Sequence, residues 1–383
     1  MKITSFAQNL HDLNLLKAQG AEEVILGHRD YSRFGKLSDG EFGSLANRAQ
    51  ELKLKVVFEW DILMTQDVFE TAIKNVAPYL TQVQSLRVQD PGALKWSLEN
   101  TTLPLQFIAE NGNHNLPALQ GWRDLCQGRM ERIILSIELS KDAIAHYVKE
   151  LNIPCEILGF GRILLFYTPR ALLTPLTPEK IAVNGELSVL GASEESPHKG
   201  FPIIENKHGT FMFHIKEFCL IEFAHELREM GLAFFRVDMR WEGMNHFSTA
   251  TNLVKEFDAS EFNNFKDEHS QDLMRGFYLV NKTDVLFPKL KNNRLQNRES
   301  SYIGEVMEAE KGSHLAIMIR NSQGLKKSDK LKILHPKGEV FELPIYSLKN
   351  IDFEEVDQVP AQCLALIPYV GGVWVKSQVF YIT

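Results

Sequence analysis

Short apolar runs recur through the first two-thirds of the chain, at Lys2–Ala7, Glu23–Gly27, Lys55–Trp60, Leu86–Asp90, Leu105–Glu110, Arg132–Ile137, Glu156–Phe160 and Ala233–Met239. Most are near-continuous in apolar residues, the pattern of strands buried on both faces. The segments between them change period. Leu10, Leu13, Leu16 and Ala18 precede Gly20, and Val68, Ala72, Ile73 and Val76 repeat at helical spacing. Ser140 opens another such segment as a predicted N-cap. Eight strands alternating with helices predict a parallel sheet closed into a (β/α)8 TIM-like barrel.

The seventh unit is irregular. Phe160 to Leu227 is too long for a βα loop and carries Pro169, Pro175, Pro178, Pro197 and Pro202. It predicts an insertion over about 161–230, placed after strand 7 on the face where barrels bind ligands, as a lid or accessory subdomain. Lys216–Glu222 reads as the start of a helix leading into strand 8. Residues 288–301, with Lys289, Lys291, Arg294 and Arg298 and few apolar side chains, read as a linker. From Tyr302 the period becomes two, with Gly312, Gly324, Pro336-Lys337-Gly338 and Gly371-Gly372 as breaks. That predicts a small antiparallel β-barrel over 302–383, after a barrel domain spanning 1–287.

Composition narrows the class. With 44% hydrophobic and 24% charged residues, the chain is globular. A net charge of −7 excludes a surface coated for non-specific nucleic-acid binding but leaves room for a local basic patch. Cys126, Cys155, Cys219 and Cys363 are scattered, so the spacing signals neither a zinc site nor a disulfide framework. That scatter suits a reducing compartment, and with the absence of a signal-peptide pattern at Met1-Lys2-Ile3-Thr4 and of a membrane-length apolar run it predicts a cytoplasmic protein without a membrane partner.

The charged strand ends are the candidate chemistry. Glu138 follows strand 6 as an orienting carboxylate, a base, or a structural ion-pair member. Gln89 and Asp90 end strand 4, and Asp90 either joins the site or caps the turn at Pro91-Gly92. Asp238 and Arg240 share one side of strand 8; the arginine can clamp a carboxylate or phosphate, or close a barrel-end ion pair. Glu59 and Asp61 after strand 3, and Glu110 and Asn111 after strand 5, complete an acidic mouth open to acid–base work or to a cation. Gly159-Phe160-Gly161-Arg162 lacks the third glycine and the following helix of a dinucleotide loop. Lys326, Lys327, Lys330 and Lys332 form either an RNA-backbone surface or a solvated, edge-protecting face.

Five stretches in order resemble peptidase family U32, the collagenase-like proteases. They are Val88-Gln89-Asp90-Pro91-Gly92, Arg132–Ser140, Lys216–Glu222, Arg236–Arg240 and Arg275-Gly276-Phe277. Glu156, Gly161, Arg170, Leu172 and Leu173 match the family's signature, but its two cysteines fall on Leu164 and Ala171, and only Cys219 remains of the cysteines that hold a [4Fe–4S] cluster in relatives. The resemblance therefore implies the fold without the usual cofactor, since one thiolate cannot hold a cubane cluster. It further implies oxygen-independent hydroxylation of tRNA or ribosomal RNA, with prephenate as hydroxyl source, Arg170 or Arg240 as the carboxylate clamp and Glu138 as orienter. The other implied readings are a peptidase, and a degenerate subunit that binds RNA, a cluster-bearing paralogue or a second copy.

Overall fold

The computed structural model describes residues 1–110, 114–176, 185–192, 199–241, 243–269, 271–279 and 301–382. The chain divides into two compact units, Met1–Val285 and Leu286–Thr383. Of the stretch 288–301 expected to be a linker, residues 288–300 lie outside the described residues.

In the first unit the strands are β1 (Lys2–Thr4), β2 (Glu23–Gly27), β3 (Lys55–Trp60), β4 (Ser85–Val88), β5 (Leu105–Ile108), β6 (Met130–Ile134), β7 (Cys155–Thr168), β8 (Leu187–Ala192), β9 (Lys199–Asn206), β10 (Gly209–Cys219), β11 (Phe234–Val237) and β12 (Leu273–Met274). β2 to β7 pair in sequence order, all parallel, and β11 lies between β7 and β1. A parallel bridge from Phe6 to Ile25 brings β1 back to β2. Eight parallel strands thus form the expected (β/α)8 barrel, each predicted run supplying one. Helices start at defined caps: Ser140, the predicted one, accepts from the Ala143 N–H at 3.3 Å, and Ser38 and Glu41 form a capping box.

The main apolar core lies between strands and helices, with Trp60, Phe58, Phe107 and Phe235 fully buried. Inside the barrel the apolar content is small, a cluster of Phe6, Ile25 and Val57. Charge fills the rest. Ion pairs between strands that are not neighbours must cross the interior. Arg132 on β6 binds Glu23 on β2 at 2.5 and 2.8 Å, and Arg87 on β4 binds Glu156 on β7 at 2.6 and 2.9 Å. Glu156 also accepts from Arg132 at 3.0 Å and from Arg236 at 3.1 Å.

The insertion extends β7. Up to Phe160, β7 pairs with β11; from Phe160 onward it pairs antiparallel with β10, which continues to β9 and β8. Gly161 has φ +146°, and a Cβ there would sit 2.8 Å from the Asp238 carbonyl oxygen, so glycine permits the change of partner. The stretch Lys216–Cys219, read above as a helix start, is the end of β10 instead. Alternating Phe211 and Phe213, buried with Ile204, set the strand, and the helix that follows is confined to Ala224–Glu229. Phe34, Leu164, Tyr167 and Trp241 pack on that cluster and tie the insertion to the barrel mouth.

The second unit contains β13 (Tyr302–Glu310), β14 (His314–Ile319), β15 (Leu325–Lys326), β16 (Lys330–Leu334), β17 (Val340–Pro344), β18 (Gln358–Val359), β19 (Leu364–Pro368) and β20 (Gln378–Tyr381). Six of them make an antiparallel sheet ordered β17-β16-β20-β13-β14-β19, and β15 pairs with β18. Its own core includes Ile303, Ile317, Leu331, Ile333 and Val379.

Candidate functional site

A cavity of about 290 Å³ opens at the C-terminal ends of the barrel strands. The strand ends supply Glu59, Glu110, Glu138, Arg236, Asp238 and Arg240; the loop after β2 adds Arg33 and Phe34, and the insertion adds Arg162, Leu164 and Phe213. Phe6, Phe218, Phe277 and Trp241 complete a wall rich in rings.

Among the described residues, each inner arginine except Arg162 donates a hydrogen bond to a carboxylate. Arg33 binds Asp61 through Nε at 2.6 Å, and its backbone N–H donates to the same side chain at 2.7 Å. Arg236 donates to Glu110. Arg240 holds Asp238 in a fork of 2.9 and 2.7 Å and lies 3.4 Å over the Phe6 ring. Arg162 sits 5.0 Å over Trp241, with its nearest carboxylate oxygen, on Glu217, 3.7 Å away, beyond hydrogen-bond reach. Arg33 Nη1, Arg162 Nε and Arg236 Nε are buried and have no hydrogen-bond partner among the described residues. Such orphaned guanidinium donors beside a cavity favour an anion, most of all a carboxylate met by two N–H groups.

Electrostatics divides the carboxylates. Burial alone would raise Glu156, but Arg87, Arg236 and Arg132 bring it to about 2. Burial likewise opposes ionisation of Glu110 and Asp238, yet Arg236 and Arg240 respectively hold them below the ordinary carboxylate range. Glu59 goes the other way. Burial pushes it up to about 7 and Asp61 adds to the effect, against the pull of Arg240, Arg87 and the Ser32 hydroxyl.

The strand-end expectations separate accordingly. Glu138, Glu110, Asp238 and Arg240 do meet at the cavity. Glu138 is half-exposed, with His114 at 3.3 Å. Asp90 caps the helix Pro91–Asn100, accepting from the Ala93 N–H at 3.0 Å, so the turn-capping alternative is the one realised. Gln89 is buried, with no partner for Oε1 among the described residues, and lies outside the cavity lining. Asn111 lies outside the described residues. Arg170, matched to the signature as a clamp, is exposed beyond the end of β7 and contributes its carbonyl to Thr210. Arg33 carried no sequence signal because it stands in an ordinary loop. Arg162 stood in a stretch weighed only as a phosphate loop, where the switch of β7 from β11 to β10 now explains the glycines.

A [4Fe–4S] cluster does not fit these residues. Cys126, Cys155 and Cys219 are buried, and Cys363 is exposed in the other unit. Cys219 ends β10 within the main apolar core, and burial pushes its thiol up to about 12, the reverse of what a thiolate ligand needs. For a cation, His28, Asp30 and Asp39 lie close together among the described residues. Yet the Asp30 N–H donates to His28 Nδ1 at 3.1 Å, which leaves the hydrogen on Nε2 to donate to Asp39 at 2.9 Å. Both ring nitrogens are then occupied within the protein.

In the second unit Lys326 belongs to β15, and Lys330 and Lys332 are exposed on β16, alternating with the buried Leu331 and Ile333. Lys327 pairs with Glu355 at 3.1 Å, and Lys332 stands opposite Glu342 across the sheet. No helix among the described residues is long and apolar enough to cross a membrane.

The family pattern described as peptidase family U32 matches residues 8–285. A Haemophilus influenzae relative, tRNA hydroxylation protein P, is 20% identical over 420 residues, covering 93% of this chain and 90% of the relative. Among solved structures, the U32 peptidase Mk0906 aligns at 10% identity with a TM-score of 0.36, over 42% of this chain and 70% of that one. A phosphoribosyl anthranilate isomerase from Thermus thermophilus aligns at 11% identity with a TM-score of 0.37, over 69% of this chain and all of its own.

Proposed function

The chain belongs to peptidase family U32, and from that premise we propose that it acts in RNA modification, in the hydroxylation of tRNA or ribosomal RNA. The barrel mouth binds a small cyclic carboxylate, with prephenate as the co-substrate the resemblance implies. One observation carries this reading: Arg162 lines a ring-walled cavity with a buried Nε that has no hydrogen-bond partner among the described residues, its contact with Glu217 being a loose 3.7 Å. Arg162 is thus the clamp, in place of Arg170, while Arg33 and Arg236 offer one spare N–H each. Phe34, Phe213 and Trp241 give a ring flat surfaces to stack on. The likeness to tRNA hydroxylation protein P supports RNA as the final acceptor, and the exposed Lys326, Lys330 and Lys332 provide cations for its backbone.

The cysteine pattern favours a second reading, in which the chain works beside a cluster-bearing paralogue and supplies the small-molecule site. Nucleoside mass spectrometry on bulk tRNA and ribosomal RNA from a deletion strain tests both. A hydroxylated nucleoside should vanish and return with wild type but not with Arg162→Ala. Return with both proteins would make the chain a scaffold, and an unchanged nucleoside profile would remove RNA hydroxylation from consideration.

A further inference from the structure

Matching charges inside the barrel leaves one carboxylate over. Arg33 is taken by Asp61, Arg236 by Glu110 and Arg240 by Asp238. Deeper in, Arg87 and Arg132 are taken by Glu156 and Glu23. Setting aside Arg162, whose loose partner is Glu217, and Glu138, which faces His114, five guanidiniums meet six carboxylates among the described residues, and Glu59 is the sixth. Its Oε2 accepts from the Ser32 hydroxyl and lies 3.4 Å from Arg240 Nη1, a guanidinium already forked onto Asp238. Its Oε1 has no hydrogen-bond partner among the described residues. A buried carboxylate whose one cation, Arg240, is shared with the more closely held Asp238 is the group in such a cluster that keeps its proton.

We propose that Glu59 rests as a carboxylic acid and donates its proton to an oxygen of the molecule bound in the cavity. The donor role rests on the small-carboxylate reading above; the resting protonation does not. Every element around Glu59 takes part in the balance. Ser32 and Arg33 come from the loop after β2, Asp61 from the loop after β3, Arg87 from β4, and Asp238 and Arg240 from the end of β11. A ligand carboxylate on Arg162 adds negative charge to the same cavity and strengthens the hold of Glu59 on its proton. The site is thereby two-ended. Arg162 takes the anionic group, and Glu59 meets a neutral hydroxyl or carbonyl oxygen, so the favoured ligand is a carboxylate that carries such an oxygen. When the proton moves, the Glu59 O–H bond breaks with its electron pair left on the carboxylate and a new O–H bond forms on the ligand. Arg240, 3.4 Å away, faces the charge that develops.

pH-difference infrared spectroscopy on the full chain, with glutamate carbon-13 labelling, tests the resting state without any ligand. The wild type should show a protonated glutamate carboxyl that disappears between about pH 6 and pH 8 and is missing from Glu59→Gln. Glutamates that all titrate in the ordinary acidic range, or a neutral band that survives in Glu59→Gln, would overturn the proposal. Calorimetric titration with prephenate in buffers of different ionisation enthalpy tests the donor end. Proton uptake per ligand bound near pH 8 should occur in wild type and be absent in Glu59→Gln, whose affinity should fall, and uptake per bound ligand unchanged by the substitution refutes the donor role. Failure of prephenate to bind wild type, with the infrared band intact, overturns the small-carboxylate reading and the donor role with it but upholds the resting acid.

Discussion

Glu59 and Glu156 lie within one barrel yet respond to pH in opposite senses. Glu59 is raised in the folded chain, so its contribution to stability is complete below the ordinary carboxylate range and is lost as pH rises through about 7. Glu59→Gln should match wild type at about pH 4 and exceed it at about pH 8, by on the order of 3 kcal/mol, in denaturant unfolding. Glu156 is depressed to about 2, so its contribution is present above the ordinary range and is lost as pH falls towards that value. Glu156→Gln should cost about 3–5 kcal/mol near neutrality, because three arginines would be left around an uncharged amide. The sequence marked Glu156 only as a match to a signature. Ion pairs that cross the barrel join β4 to β7 and β2 to β6, far apart in the chain, so nothing local announces them. Strand ends were legible because Glu110, Glu138, Asp238 and Arg240 close apolar runs. Arg33, in a loop without such a run, was not.

At the scale of elements, β7 decides the shape of the site. It begins as a barrel strand and ends as one edge of the antiparallel insertion, with Gly161 at the change. Gly161→Ala would press a methyl group against the Asp238 carbonyl and force a left-handed φ on alanine. A loss of about 1–3 kcal/mol is expected in thermal or denaturant unfolding, together with weaker small-molecule binding, since Asp238 carries Arg240. The eight barrel strands were readable from apolar runs because parallel strands are buried on both faces. The insertion was readable only as an excess of length. Lys216–Cys219 follows a stretch whose alternation is broken by irregular pairing between Phe213 and Glu217, and that break hid the strand.

For the whole molecule, the two apolar cores share no residue. A fragment ending at Val285 should retain the infrared signature of Glu59 and its small-molecule affinity. RNA affinity should depend on the other unit. Replacing Lys326, Lys330 and Lys332 by glutamate is expected to weaken RNA binding and flatten its salt dependence. The logarithmic slope should fall by about 0.7 for each single-strand phosphate that is no longer neutralised. Filter binding across a salt series measures both, and an unchanged slope would restore the solvated-face alternative for these lysines.

The ionic interior has a consequence for inheritance. In a barrel filled with leucine and valine, one side chain can change while its neighbours adjust, and lineages drift a position at a time. Here Glu156 answers to Arg87, Arg132 and Arg236 together, and Arg132 answers to Glu23 as well. Losing any one of them strands a charge that no neighbour can absorb. Across descendants of this chain those five positions should therefore be replaced in concert or not at all, so that strands remote in the chain carry a shared evolutionary record.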